Sequence, residues 1–235
     1  MYDAHPFIAS RDFIFAELSN MKAVTFLLSI YFSLARQVMT NNGTEIDDRP
    51  DCEKHQDINR ALQNVDPFSW MYHRTYRPNP GEPEFACVYA NVTKLNGTGN
   101  YVFRQGWTTA DNKTVEVPLF VKTERTPEYQ RQEDNAMRVT LRNATGAVLK
   151  DFALYKLIYS DYTKCDILRV TSRGQACELY VHSKYLDEAE LKECIRYYKH
   201  ACVKEGGEDY KVYNEHCKTH QKPKLAATAL PQSSD

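Results

Sequence analysis

Alternation of apolar and polar positions dominates the middle of the chain. Met137, Val139 and Leu141 alternate with Arg138, Thr140 and Arg142, the period of two that half-buries a strand. Seven further stretches read as strands: residues 70–76, 85–92, 101–108, 113–122, 148–159, 165–170 and 177–182. Turn signals separate several of them, at Pro78-Asn79-Pro80-Gly81, Asn96-Gly97-Thr98-Gly99 and Asn143-Ala144-Thr145-Gly146. Pro118 falls inside the fourth strand, where a residue without an N–H fits an edge or a bulge. Two segments carry the helical period instead. Residues 52–64 place Ile58 and Leu62 four apart, and residues 186–203 place Leu191, Ile195 and Tyr198 on one stripe, with Asp187, Glu188 and Glu190 in the first turn. Residues 209–217 run back over the body. The pattern predicts a mainly β fold: an eight-stranded antiparallel up-and-down barrel, a short N-terminal helix, and a C-terminal helix packed outside. A β-sandwich is the competing arrangement.

The N-terminal region departs from this pattern. Met21-Lys22 precedes an apolar run of 13 residues, 23–35, ending in Ser33-Leu34-Ala35. That run is shorter than the ~20 residues a spanning helix needs. A basic start, an apolar centre and a small-x-small end are the parts of a secretory signal. Asp3, Asp12 and Glu17 sit ahead of it and do not belong in such a signal, so residues 1–20 read as upstream read-through, with translation starting at Met21. The expected organisation is then a signal at 21–35, a flexible polar segment at 36–49, a domain at 50–217 and a flexible tail at 218–235.

Composition narrows the function. Lys+Arg is 30 and Asp+Glu is 31, without the basic surplus of a nucleic-acid binder. With 42% hydrophobic residues, 16 Tyr and 10 Phe, an aromatic-rich core is expected. Secretion agrees with five N-x-S/T sequons, at Asn42, Asn91, Asn96, Asn112 and Asn143; glycans there require solvent-facing positions. It also makes the seven cysteines disulfide candidates, with at least one left over. A zinc site can be assembled from His200, Cys202, His216, Cys217 and His220, but the spacing is irregular and an oxidising compartment disfavours it. There is no G-x-S-x-G or Cys-His arrangement, so neither an enzyme nor a cofactor or metal is expected.

Several segments together carry a family resemblance. Cys177–Val181 reads CELYV and resembles the ELW motif of the tick salivary lipocalins, the family that includes the histamine-binding proteins. Arg74-Thr75-Tyr76 resembles the end of that family's first strand, Phe85-Ala86-Cys87-Val88 its second and Lys164-Cys165-Asp166-Ile167 its seventh. Gln56-Asp57 stands where the first helix often carries an acidic-Ala-Trp motif; here Ile58-Asn59 follows, and Tyr180 replaces the Trp of ELW. The likeness covers residues 50–217. It implies a lipocalin-like barrel, and disulfides Cys87–Cys217, Cys165–Cys194 and Cys177–Cys202, with Cys52 left over. Cys52–Cys177 with Cys202 free is the rival pairing.

That frame implies a site. If Cys165 and Cys177 point outward to the external helix, alternation turns Asp166, Glu178 and Tyr180 inward. Buried carboxylates need a cation or hydrogen bonds, and a ligand ammonium supplies the cation, with aromatic walls adding attraction. Arg, Tyr or water inside the barrel would serve equally. The resemblance also places amine-binding acids at Asp166 and Glu178. A further acid of the family falls near Asn79, which is neutral, and family aromatic positions become Met137, Val139 and Leu149. Tyr76 joins the candidates. The expected function is a secreted monomer that sequesters a small host mediator, an amine such as histamine or serotonin. The alternatives are a lipid mediator held by its carboxylate, or a loop-mediated binder of a host protein such as complement. No nucleic-acid or membrane partner is expected, and an unpaired Cys52 leaves a route to a dimer.

Overall fold

A computed structural model describes residues 45–78, 85–203 and 207–220. The apolar run 23–35, the sequon at Asn42, Asn79 and the tail beyond 220 lie outside them. Eight strands run β1 (Phe68–Arg74), β2 (Ala86–Lys94), β3 (Asn100–Thr108), β4 (Thr114–Glu124), β5 (Ala136–Arg142), β6 (Val148–Ser160), β7 (Cys165–Val170) and β8 (Cys177–His182). Each pairs antiparallel with the next, and β1 pairs with both β8 and β2, so the sheet closes into a barrel. The competing sandwich is thereby excluded. Among the described residues no helix is long and apolar enough to cross a membrane.

The pairing explains the local sequence. Pro118 sits where β4 pairs with β3, before β5 joins at Phe120↔Thr140, so its missing N–H costs no ladder bond. Gly106 lies against the Tyr89 ring; a Cβ there would fall 2.2 Å from it. Cys87 has φ 51° at a register shift between Ala86 and Tyr89, a bulge that aims it outward.

Two regions differ from the sequence reading. The expected helix over 52–64 is a 3-10 helix, Pro50–His55, followed by the short helix α1, Ile58–Leu62. The break comes at Gln56, whose buried amide donates to the Ile46 and Ile158 carbonyls, and at Asp57, whose carboxylate caps α1 at Arg60 N. The second helix, α2, starts at Lys192 rather than 186. Asp187 accepts from Ala189 N instead, closing a turn that competes with the helix start. A two-residue strand, β9 (Tyr210–Lys211), adds to the β1 edge within the 209–217 segment.

The barrel separates two cores. Inside it pack Met71, Phe103, Leu119, Met137, Leu157 and Leu168. Outside, between barrel and α2, pack Trp70, Tyr72, Leu179, Val181, Tyr198 and Tyr213. Three disulfides thread the outer core: Cys87–Cys217, Cys165–Cys194 and Cys177–Cys202. Cys52 is free, so the rival pairing with Cys177 does not form. The end of the segment expected to be flexible is ordered: Asp47 is 1% exposed and takes a forked bond from Arg169 of β7, at 2.7 and 3.0 Å. Such a fully paired buried charge is tolerated where a lone one is not.

Candidate functional site

The inner faces of the strands enclose a cavity of about 50 Å³, in a measure where one water needs roughly 10–15 Å³. Its wall is largely apolar, with Val92, Phe103, Met137, Val139 and Leu168. Ile58, Ala61 and Leu62 of α1 line it at the end where β1 starts. The polar groups on it include Asp166, Glu178, Tyr180 and His182. Alternation places them. Cys165 and Cys177 bond outward to α2, and Leu179 and Val181 join the outer core, so Asp166, Glu178, Tyr180 and His182 point inward.

Glu178 is 3% exposed. The Tyr76 hydroxyl donates to its Oε1, from just beyond the end of β1. Burial pushes the Glu178 carboxyl up; hydrogen bonding from Tyr76 and Tyr180 and the charges of Arg74 and Arg173 pull against it. The same burial raises the Tyr76, Tyr155 and Tyr180 hydroxyls, with Glu178 adding to each, so all three stay neutral donors. Arg74 reaches this end because β1 slips register between Met71 and His73. Tyr72 and His73 therefore both face outward, and Arg74 stands opposite Glu178. Its guanidinium lies 5.5 Å from the Tyr76 ring centre, and its Nε is buried without a hydrogen-bond partner.

Asp166 is arranged differently. Its Oδ2 lies 3.1 Å from His182 Nε2, and its Oδ1 is buried with no partner. The other ring nitrogen of His182, Nδ1, lies 2.7 Å from the Asp66 carbonyl oxygen. The Asp66 carboxylate accepts from Ser183 Oγ and Lys184 N. Burial alone would lower the His182 pKa, but the Asp166 bond and charge, with those of Asp66, outweigh it and raise it above 6.5.

The structure thus brings Asp166, Glu178, Tyr180, Met137 and Val139 to one cavity, with Tyr76 behind Glu178 rather than on the wall. Leu149 must be corrected: it is 63% exposed. β5 and β6 slip register between Leu141↔Lys150 and Arg142↔Val148, which leaves Leu149 unpaired on a hairpin tip outside the lumen. Sequence reasoning missed His182, Asp66, Tyr155 and Arg74. His182 was within reach, since it continues the inward series 178, 180.

Among the described residues one group brings metal-ligating atoms together. Asp161, Cys165 and Cys194 have donor atoms within 4.8 Å of one another, but both sulfurs are spent in a disulfide and Asp161 Oδ1 accepts three backbone N–H groups. Cys202 and Cys217 are likewise oxidised, so the zinc arrangement has lost its thiolates.

Known proteins place this barrel. No curated protein matches the chain. Among solved structures, apocrustacyanin C2 is similar at a TM-score of 0.51 and 14% identity, over 74% of this chain and 90% of its own. AM182, solved as a serotonin complex, has a TM-score of 0.48 at 15% identity, over 68% and 92%. Insecticyanin from the tobacco hornworm Manduca sexta has a TM-score of 0.45 at 12% identity, over 68% and 82%. At 14% identity the likeness to apocrustacyanin C2 bears on the fold alone. A family profile described as tick histamine binding protein matches residues 46–219, which takes in every strand of the barrel, both helices and all seven cysteines. With the closed lipocalin barrel and its external helix, that match means the chain belongs to the tick histamine-binding protein family.

Proposed function

We propose that this chain is a secreted, non-enzymatic binding protein. It sequesters a small host mediator, a biogenic amine of the histamine or serotonin kind, in the barrel cavity, and so blunts host inflammatory defence. The carrying observation is Glu178, a buried carboxyl on the cavity wall held by tyrosine hydroxyls. Burial disfavours its charge. A ligand ammonium reverses that balance, and the rings of Tyr155 and Tyr180 offer cation–π faces. The cavity has room for only a few waters, so a ligand enters by displacing side chains. A small amine asks less of that displacement than a long acyl chain does. The signal-like run and three disulfides support secretion. Asn96, Asn112 and Asn143 are exposed on turns and suit glycans; Asn91 is half-buried in β2 and suits one poorly.

One observation favours a lipid mediator as the second reading. Arg74 stands at the Glu178 end with a buried, partnerless Nε, and the cavity wall is largely apolar; a carboxylate-bearing lipid would satisfy both. Titration calorimetry with histamine, serotonin and a leukotriene separates the two. A carboxylate–ammonium bond is worth ~1.5–3 kcal/mol, so Glu178→Gln is expected to weaken amine binding ~10–150-fold and to leave the leukotriene unaffected or improved. Unchanged amine affinity in Glu178→Gln overturns the assignment. Tight leukotriene binding with no amine binding in the parent establishes the second reading.

A further inference from the structure

The cavity carries two inward carboxylates, Asp166 and Glu178, but one of them already faces a histidine. His182 sits two residues beyond Tyr180 on the same face of β8. Both of its ring nitrogens are engaged, Nδ1 with the Asp66 carbonyl oxygen at 2.7 Å and Nε2 with Asp166 Oδ2 at 3.1 Å. A carbonyl has no proton to give, and neither has an ionised carboxylate, so each ring nitrogen must donate. Imidazolium alone has two N–H groups. The ring is nearly dry, with its side chain 5% exposed. One carboxylate, that of Asp166, and one backbone carbonyl, that of Asp66, meet this ring, and Asp166 Oδ1 still lacks a partner. The pocket therefore lacks a donor at Asp166 even with the histidine present.

We propose that His182 is a resident cation filling what would otherwise be a second amine subsite at Asp166, so that the cavity takes one amine rather than two. The inference rests on the reading of Glu178 as the amine's partner only for the count of one. The class of ligand that His182 excludes is set by its own chemistry: an imidazolium or primary ammonium with at least two N–H donors, one for Asp166 and one for the Asp66 carbonyl. His182 is on this view a specificity residue, fixing stoichiometry rather than making the primary contact.

His182→Gly removes the ring and leaves an imidazole-shaped space against Asp166. Calorimetric stoichiometry with imidazole and with histamine is measured on the parent, on His182→Gly and on His182→Gly/Asp166→Asn. The expected result is one additional equivalent in His182→Gly over the parent, lost again in the double variant. An unchanged count in a folded His182→Gly overturns the proposal, and so does an added equivalent that survives Asp166→Asn. The difference is the readout. A parent that binds no amine but a variant that binds one supports the resident cation and overturns the Glu178 reading; a count of one in both does the reverse. Leaving Asp166 unpaired weakens the fold, so the parent provides a second measurement. Long-range ¹⁵N correlation of His182 at pH 6.5, the ordinary histidine midpoint, is expected to show two protonated ring nitrogens. A bare nitrogen there overturns the proposal whether or not the variant folds.

Discussion

The two ends of the cavity solve the same problem in opposite ways. Asp166 is held by a ring that can carry the opposite charge, that of His182. Glu178 is held by neutral hydroxyls, with Arg74 and Arg173 near enough to be felt. Both acids face inward for one reason, the alternation that sends Cys165 and Cys177 outward to α2. The lesson is that an inward carboxylate in a barrel is not by itself a ligand site. What decides is whether the fold has already supplied its counter-charge.

Removing that counter-charge is the largest perturbation. His182→Leu strands a carboxylate whose side chain is 15% exposed, and since losing one partner of a fully buried pair costs about 3–5 kcal/mol, a loss toward the lower end is expected. Urea unfolding is expected to show that loss, and most of it is expected to return in His182→Leu/Asp166→Asn. At the other end the holding group is a neutral hydroxyl, so Tyr76→Phe is expected to cost less, about 1–3 kcal/mol. The same urea experiment ranks the two; equal losses would erase the distinction between the ends.

The ends also differ in where they titrate. Glu178 binds its proton more tightly folded than unfolded, so its contribution favours acid. Stability from this group is lost as pH rises from its ordinary 4.5 up through the raised folded value. His182 is raised as well, so its contribution is fully present below 6.5 and is lost as pH rises through its folded value. Unfolding across a pH series is expected to lose the step starting near 4.5 in Glu178→Gln while keeping the one starting near 6.5. The smallest effect is expected from Leu149→Ser, on the exposed hairpin tip: under ~0.5 kcal/mol by thermal unfolding and no change in ligand affinity.

The same contrast shows what was readable beforehand. β7 and β8 were legible to the residue, because cysteine and alternation mark both of them. Their inward acids followed directly. Leu149 was misplaced because two register slips in the β5–β6 hairpin leave no trace in the pattern. Arg74 was missed for a similar reason, since a slip at Tyr72 turns it inward. Asp66 comes from a loop, where periodicity has nothing to say. The 3-10 helix before α1 depends on Gln56 reaching carbonyls ten and about a hundred residues away. No local signal encodes that.

The Cys87–Cys217 bond has a biosynthetic consequence. Its partners are 130 residues apart, so at ~5–20 residues per second Cys87 leaves the ribosome on the order of ten seconds before Cys217 exists. Cys52 has already emerged and is the nearest thiol to it along the chain. The other two bonds interleave, with Cys177 lying between Cys165 and Cys194 and its own partner Cys202 beyond. No native pair can therefore close until the first turn of α2, which carries Cys194, has been made. In an oxidising compartment the half-made chain has a ready wrong partner and no right one. If the chain is oxidised as it emerges, any bond that Cys52 makes with Cys87 has to be undone by thiol exchange before Cys217 can pair.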